Sequence, residues 1–317
     1  MTSVPLNRRR LLTGSGAALG LALLAGCDSG GSPRATAAGG AAASPSATAS
    51  ATTSASASAS PSASPAARAT VAAAARSTVE APRLAARLEE YLDGRSGSLG
   101  LELVDLTRGE VFRHDAREAE CYSTIKVLIL TTVLRQAQEA GKQLTGAQKK
   151  LARRMITRSD NAATETLLAQ VGRDEVRRVA ALVGMERTEI DEGWWGFWRT
   201  VPGDLNLMTG ALLSTDDVLD GGRRAQARFL MADVVAEQRW GVFAAEDEDA
   251  DAYVAAKNGW GPLPDGYRLN STGWVSGDGR DYVLSILSKS PDGFRYGRRT
   301  ISGVAGICHE ALADRLA

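Results

Sequence analysis

Histidine, cysteine and net charge are scarce in this sequence. Its 317 residues include two histidines and three cysteines, and 37 basic residues balance 37 acidic ones. A chain without excess positive charge has no field that attracts nucleic acid, so we expect no nucleic-acid partner. No histidine or cysteine cluster has the spacing of zinc ligands, and a Ser-His-Asp triad would have to recruit the isolated His114 or His309. We therefore expect no metal and no cofactor.

Residues 1–27 have the pattern of an export signal. Arginines at positions 8–10 precede two leucines and an apolar run at 17–25, which is too short to span a bilayer. Paired arginines before Leu-Leu fit a twin-arginine signal, and the general secretory route is the alternative. The tetrapeptide Leu-Ala-Gly-Cys that ends at Cys27 resembles the bacterial lipobox, in which the cysteine is lipidated. We therefore predict a lipid anchor on the extracytoplasmic face of the cell membrane; an ordinary cleaved signal is the alternative.

Residues 28–77 form a low-complexity segment. Between positions 29 and 67 the chain contains only Gly, Ala, Ser, Thr and Pro, apart from Arg34. Such a segment has too little apolar surface to offset its ordering entropy, so a disordered linker is predicted. An O-glycosylated stalk has the same composition and is the alternative. The linker would connect the anchor to one folded domain at 78–317.

The pattern of residues 78–317 predicts an α+β fold. Apolar residues at helical spacing predict a first helix over 78–92, and alternating residues predict a hairpin that follows it. An apolar stretch from 123 to about 140 predicts a buried helix, and further helices follow to about 183. Strand patterns return at 267–275 and 281–288, before a last helix at 301–316. Strands on both sides of a helical block predict a sheet built from N- and C-terminal strands.

The first chemical motif is Ser-x-x-Lys at Ser123 and Lys126. Positions i and i+3 of a helix share a face, so the lysine amine would lie beside the serine hydroxyl. A partly desolvated lysine can take the proton of a serine and make it nucleophilic. The backbone N–H of Ser123, at a helix N-terminus, could also bind an oxyanion.

Two more motifs follow in order: Ser-Asp-Asn at 159–161 and Lys-Asn-Gly at 257–259. The three together resemble the penicillin-recognising serine enzymes, the β-lactamases and DD-peptidases, and most of all the class A-like β-lactamase branch. The resemblance covers residues 78–317 and implies a helical lobe packed against an antiparallel sheet with flanking terminal helices. The spacing from Ser123 to Ser159 is short, which indicates a trimmed helical lobe.

The resemblance implies a role for each motif residue. Ser123 would be the acylated nucleophile and Lys126 its proton partner. Ser159 would pass a proton to the leaving nitrogen. Asn161 would hydrogen-bond a substrate amide, and Lys257 would set the electrostatics around Ser159 and the substrate carboxylate.

The third motif also implies substrate contacts. The oxyanion hole would combine the N–H groups of Ser123 and of Trp260, which directly follows Gly259. Asn258 occupies the position of a family Thr or Ser whose hydroxyl contacts the substrate carboxylate, and it could substitute as a polar group with different geometry.

A deacylating carboxylate is missing from the expected pattern. The Glu-x-x-Leu-Asn segment of class A enzymes is absent, and Glu189 or Glu192 could fill its role of priming water, although loop glutamates are usually just solvated. The first hypothesis is a monomeric β-lactamase-like serine hydrolase that hydrolyses a β-lactam or related amide. The first alternative is a DD-peptidase or penicillin-binding protein that acts on peptidoglycan and deacylates slowly. The second alternative is a non-catalytic cell-envelope binding module with the same fold.

Other chemically distinctive residues have two interpretations each. The tryptophans at 194, 195 and 198 either form a ligand-binding wall or fix a loop by burial, and we favour burial. Cys121 and Cys308 either form a disulfide or remain buried thiols. The acidic run at 246–251 lacks the spacing of calcium sites and indicates a solvated turn.

Overall fold

The computed structural model describes residues 77–215, 217–246 and 252–313. The predicted export signal with Cys27, nearly all of the predicted linker and most of the acidic run lie outside the described residues, and these expectations stay predictions. Within the described ranges, no helix is long and apolar enough to cross a membrane. The same ranges contain no group of three histidine, cysteine or acidic residues arranged to hold a metal ion.

A six-stranded sheet and a two-stranded ribbon contain the named strands of the described residues. These are β1 (Ser77–Thr78), β2 (Ser98–Asp105), β3 (Glu110–His114), β4 (Ala119–Glu120), β5 (Arg199–Thr200), β6 (Tyr253–Leu263), β7 (Gly266–Gly277) and β8 (Arg280–Ser290). The sheet has the order β1-β3-β2-β8-β7-β6, and only the β1–β3 pair is parallel. β4 and β5 pair separately as the ribbon. Strands from both ends of the domain therefore meet in one sheet.

Eight α-helices accompany the sheet in the described residues. They are α1 (Pro82–Leu92), α2 (Lys126–Glu139), α3 (Gly146–Thr157), α4 (Asn161–Val171), α5 (Arg173–Val183), α6 (Pro202–Leu213), α7 (Gly221–Ala232) and α8 (Gly293–Ala313). Local signals set their ends: the Thr145 and Gln148 side chains form a capping box before α3, and left-handed Gly184 ends α5.

Alternation along the strands divides the apolar residues between two cores. On β8, Val283 and Leu287 belong to the core of the helical block, whereas Leu284 and Ile286 belong to the core beneath α1 and α8. Successive side chains of a strand point to opposite faces, so a strand covered on both faces needs a nearly continuous apolar sequence. The sheet thus lies between the helical block and the terminal helices, and the predicted α+β fold is confirmed.

Two predicted helix starts were wrong. The first helix begins at Pro82, because the residues before it form β1 and pair with β3. The last helix begins at Gly293 rather than at 301, because the arginines and glycines of its first turns obscure the apolar period.

The nucleophile segment also differs from the prediction. Residues Tyr122–Ile125 form a 3-10 turn, and the α-helix begins only at Lys126. Residues i and i+3 are aligned in a 3-10 turn, so Ser123 and Lys126 remain on one face, as the motif requires.

The disulfide alternative is wrong, and both cysteines are buried free thiols. Cys121 belongs to the core of the helical block and Cys308 to the core beneath the terminal helices, so the sheet separates them. Burial raises the pKa of Cys308 to about 12 and that of Cys121 well above its usual range. Such thiols are unreactive in the folded protein.

We predict that a chain with Cys27→Ser reacts with a thiol reagent only after unfolding. Both remaining thiols are fully buried, so the native protein should give no signal and the denatured, unreduced protein should give two equivalents. A colorimetric thiol titration checks this. If the denatured protein contained no titratable thiols, the disulfide alternative would be correct.

Candidate active site

The 3-10 turn that carries Ser123 packs against the backbone of β6. A Cβ atom built on Gly259 would lie 2.7 Å from the backbone N of Ser123 and 2.8 Å from that of Thr124. A Cβ atom on Gly261 would lie 2.0 Å from the ring of Tyr122. Only glycine allows the strand to approach this closely. Tyr122 itself has a φ of 47°, a strained conformation for a bulky residue next to the candidate nucleophile.

Ser159 lies in a tight turn between α3 and α4. Its backbone is left-handed, with a φ of 57°. The next residue, Asp160, caps α4 by accepting a hydrogen bond from the N–H of Ala163 at 2.9 Å, and it accepts a 2.8 Å hydrogen bond from Nε of Arg154. The cap and the ion pair hold the turn in place and direct Ser159 and Asn161 to the same point.

Lys126 reaches that point from the first turn of α2. Its Nζ donates to the carbonyl oxygen of Ser159 at 2.7 Å and to Oδ1 of Asn161 at 2.8 Å, and it lies 3.1 Å from Oγ of Ser159. The ring of Trp195, which is 2% exposed, covers the amine with its centroid 4.8 Å from Nζ. Lys126 is therefore enclosed by polar groups on one side and an aromatic ring on the other.

Lys257 reaches the same hydroxyl from β6. Its Nζ lies 3.1 Å from Oγ of Ser159 and donates to the carbonyl oxygen of Asn258 at 2.7 Å. The hydroxyl of Ser159 thus lies between two amines that come from opposite parts of the chain.

Burial weakens the basicity of both amines. It lowers the pKa of Lys126 to about 7, against a smaller opposing effect of the Asp160 carboxylate. Burial, with the like charge of Lys126, lowers the pKa of Lys257 well below its usual range. A fall from 10.5 to about 7 is worth several kcal/mol, at roughly 1.4 kcal/mol per unit, which outweighs a cation–π attraction of about 1–2 kcal/mol. Near pH 7 the Lys126 amine is therefore substantially neutral and can accept a proton.

The structure corrects the expected contact of Asn258 with the substrate carboxylate. Because side chains alternate along a strand, Asn258 faces away from Lys257 and Gly259. Its buried amide donates 2.8 Å hydrogen bonds to the carbonyl oxygens of Gln238 and Trp240. The side chain therefore holds a neighbouring loop rather than entering the cluster.

The ring of Trp260 packs against the core beneath the terminal helices. It lies against Trp240 and Phe294 at centroid distances of 5.9 and 6.0 Å. The backbone N–H of Trp260 directly follows Gly259, which contacts the Ser123 turn, and its expected role in an oxyanion hole stays a prediction.

The structure does not bring the two candidate glutamates into the cluster. Glu192 is 77% exposed, and its carboxylate pairs with Arg177 at 2.6 Å and with Arg173 at 3.5 Å on α5. Glu189 is exposed, and its backbone N–H donates to the carbonyl oxygen of Arg199 at 2.9 Å. These placements correct the expectation that either glutamate primes water. The hydrogen-bond partners described for the Lys126 amine include no carboxylate.

The tryptophan loop is fixed largely by burial, as expected. Trp195 and Trp198 are buried, and Trp194 is the exposed exception. The carbonyl oxygen of Trp198 accepts a 2.7 Å hydrogen bond from the N–H of Cys121, which ties the loop to the nucleophile segment.

Two residues of the site were not predicted from the sequence. Trp195 stood out only as one of three neighbouring tryptophans, although its ring covers Lys126. Asn270 on β7 donates to the carbonyl oxygens of Glu120 and Cys121 at 2.7 and 3.1 Å, and so orients the backbone that leads to Ser123. A buried asparagine in a strand is a signal, since a buried amide requires partners.

Comparison with known proteins identifies the family of this chain. The model of the β-lactamase enzyme family matches residues 141–312, more than half of the chain. No curated protein sequence matches the chain.

Solved structures share the fold. PBP-A superposes with a TM-score of 0.65 at 20% identity, over 75% of this chain and 98% of that chain. A mutant of PBP-A, solved as an acyl-enzyme complex with penicillin G, has a TM-score of 0.65 at 19% identity, with the same 75% and 98% coverage. A class A β-lactamase representative from Bacteroides cellulosilyticus has a TM-score of 0.65 at 14% identity, over 74% of this chain and 98% of that chain.

We predict that Gly259→Ala destabilises the protein by about 1–3 kcal/mol, because the new methyl would press on two backbone nitrogens. Gly146→Ala is the matched control, because no atom lies within 4 Å of its added Cβ, and it should change stability by less than about 0.5 kcal/mol. Urea unfolding measures both. Equal stability of the two variants would contradict the close approach of β6 to the turn.

Proposed function

The chain belongs to the β-lactamase enzyme family, and we propose that it is a serine acyl-enzyme former of the penicillin-binding type, which reacts at Ser123 and deacylates slowly. The observation that carries the proposal is the pair of buried amines on the Ser159 hydroxyl, one of them with a pKa of about 7. Burying two lysines is costly, and a site for proton transfer gives a reason to retain them.

The proposed acylation uses these groups in turn. The neutral amine of Lys126 takes the proton of Ser123, and the serine oxygen attacks the carbonyl carbon of a β-lactam or peptide amide. The N–H groups of Ser123 and Trp260 receive the negative charge of the tetrahedral intermediate. The C–N bond then breaks, and the leaving nitrogen takes the proton from Lys126 through the hydroxyl of Ser159.

Deacylation is the slow step of the proposed reaction. Water must lose a proton to attack the ester, and a carboxylate is the base that the class A pattern provides. The described surroundings of Lys126 hold the Trp195 ring and the polar groups of Ser159 and Asn161 instead. This environment supports a long-lived acyl-enzyme and favours the DD-peptidase alternative over an efficient β-lactamase.

The natural acyl donor is then an amide of the cell envelope, of the peptidoglycan stem type. The export pattern before Cys27 supports this, because it would tether the domain outside the cytoplasm beside that polymer. A non-catalytic binding module is disfavoured, because such a module has no need for two desolvated lysines around one hydroxyl.

We predict that benzylpenicillin forms a covalent adduct on Ser123 that persists for hours. Intact-mass spectrometry over a time course measures the adduct. Ser123→Ala should form none, and Ser96→Ala, a serine outside the cluster, should behave as the wild type. An adduct that clears within minutes would indicate an efficient β-lactamase, and absence of an adduct would favour the binding module.

We predict that the acylation rate rises with pH through a midpoint near 7, because only the neutral amine of Lys126 accepts the serine proton. Trp195→Ala admits water to the amine, raises its pKa and should move the midpoint upward by about one unit. Trp195→Phe keeps an aromatic ring and is the control. The measurement is the second-order rate constant of acylation from pH 5 to 9. An unchanged midpoint in Trp195→Ala would mean that the ring does not set the basicity of Lys126.

A further inference from the structure

Two exposed aromatic rings lie side by side on the loop that covers Lys126. Trp194 is 38% exposed and Phe197 is 49% exposed. Their centroids lie 4.9 Å apart in an edge-to-face arrangement, and both rings also meet Tyr122 edge to face, at 6.2 and 6.0 Å. We call these three residues the aromatic shelf. Large rings that stay exposed leave apolar surface in water, so such a cluster is a candidate ligand contact.

The shelf is held rigidly. The ring of Trp194 lies across Gly196, where an added Cβ would be 2.2 Å from its Cζ3 atom. It also packs against the buried Trp195 at a centroid distance of 4.7 Å. The N–H of Phe197 donates to the carbonyl oxygen of Trp194 at 2.9 Å, which closes the turn. Rigid aromatic rings lose little entropy when a ligand binds, so the shelf is preorganised for contact.

The shelf is continuous with the candidate active site. Tyr122 directly precedes Ser123, and its hydroxyl donates to the carbonyl oxygen of Pro262 on β6 at 3.2 Å. The residue that follows Trp194 is Trp195, whose ring covers the amine of Lys126. The shelf is therefore joined to the nucleophile segment through Tyr122, and to the ring that covers Lys126 through the contact between Trp194 and Trp195.

The other exposed aromatic residues of the described ranges do not lie next to the candidate active site. Phe229, on α7, lies beneath the guanidinium of Arg153, with its centroid 6.0 Å away. Tyr253, at the start of β6, packs against Trp274 at 5.8 Å. Neither ring contacts the cluster of Ser159 and the two lysines in the described contacts.

We propose that the aromatic shelf binds a flat apolar group on the acyl donor and so sets substrate preference. The proposal rests on the proposed function, because it places this group next to the bond that Ser123 attacks. Stacking against a fixed ring removes apolar surface of both partners from water. A donor with an aromatic substituent should therefore acylate the enzyme faster than the same donor without it.

The test compares two acyl donors that share a nucleus. Benzylpenicillin carries a phenylacetyl group, and 6-aminopenicillanic acid lacks it. We expect Trp194→Ala to lower the acylation rate constant for benzylpenicillin about tenfold and to leave that for 6-aminopenicillanic acid within about twofold. Gly196→Ala should cause the same selective loss, because its methyl displaces the ring without removing it. Phe229→Ala is the matched control and should change neither rate constant.

Two kinetic results would contradict the proposed role of the aromatic shelf in binding the acyl donor. An equal loss for both donors would show that Trp194 only supports the fold of the loop. Unchanged rate constants in Trp194→Ala would show that the ring does not touch the donor.

A binding measurement separates failure of the shelf from failure of the proposed function. Phenylacetylglycine and acetylglycine are probes that need no chemistry, and saturation-transfer NMR detects their binding. If neither penicillin acylates the wild type, the proposed function fails. The shelf still stands if phenylacetylglycine binds in preference to acetylglycine and Trp194→Ala abolishes that preference. Equal binding of the two probes to the wild type overturns the shelf whatever the kinetics show.

Discussion

The rest of the structure depends on two lysine amines that are buried on either side of one hydroxyl. Lys126 comes from the start of α2 and Lys257 from β6, and both lie 3.1 Å from Oγ of Ser159. Two cations buried against one hydroxyl would repel each other strongly, so at least one amine must be neutral near pH 7. Because Lys126, Lys257 and Ser159 belong to the helical block, the sheet and the turn between α3 and α4, these three parts of the fold must meet at one point. Gly259 makes that meeting possible, because any side chain there would collide with the Ser123 turn.

The loop before α6 determines how this cluster can be used. It places the ring of Trp195 against the amine of Lys126 and leaves the rings of Trp194 and Phe197 at the surface beside it. Its carboxylates are directed elsewhere: Glu192, for example, pairs with arginines of α5. An apolar covering lowers the pKa of Lys126, so that the neutral amine is available near pH 7 to accept a proton, but it provides no base for water. The loop thus favours formation of an acyl-enzyme over its hydrolysis.

Much of the fold and part of the site could be predicted from the sequence, because these features depend on local patterns. The strand pattern at both ends of a helical block predicted one sheet, and the sheet contains strands from both ends. The motifs at Ser123, Ser159 and Lys257 predicted groups that the structure brings together. Asn258 was misjudged from its place in a motif, although the two-residue period of a strand turns it away from Lys257. That period is a local property of the chain, so the orientation of Asn258 is itself predictable once its segment is assigned to a strand.

The sequence by itself determined the α+β class, the order of the motifs and the chemical types of the groups, because periodicity and residue identity are local properties. Only the tertiary structure decided which loop side chain covers Lys126. A loop without apolar period leaves the direction of its side chains undefined, so the sequence did not assign Trp195 to this position. In the fold, the loop is tied to the nucleophile segment by the hydrogen bond from Cys121 to Trp198, and the ring of Trp195 lies against the Lys126 amine. Burial, a property of the whole fold, then set the pKa of Lys126.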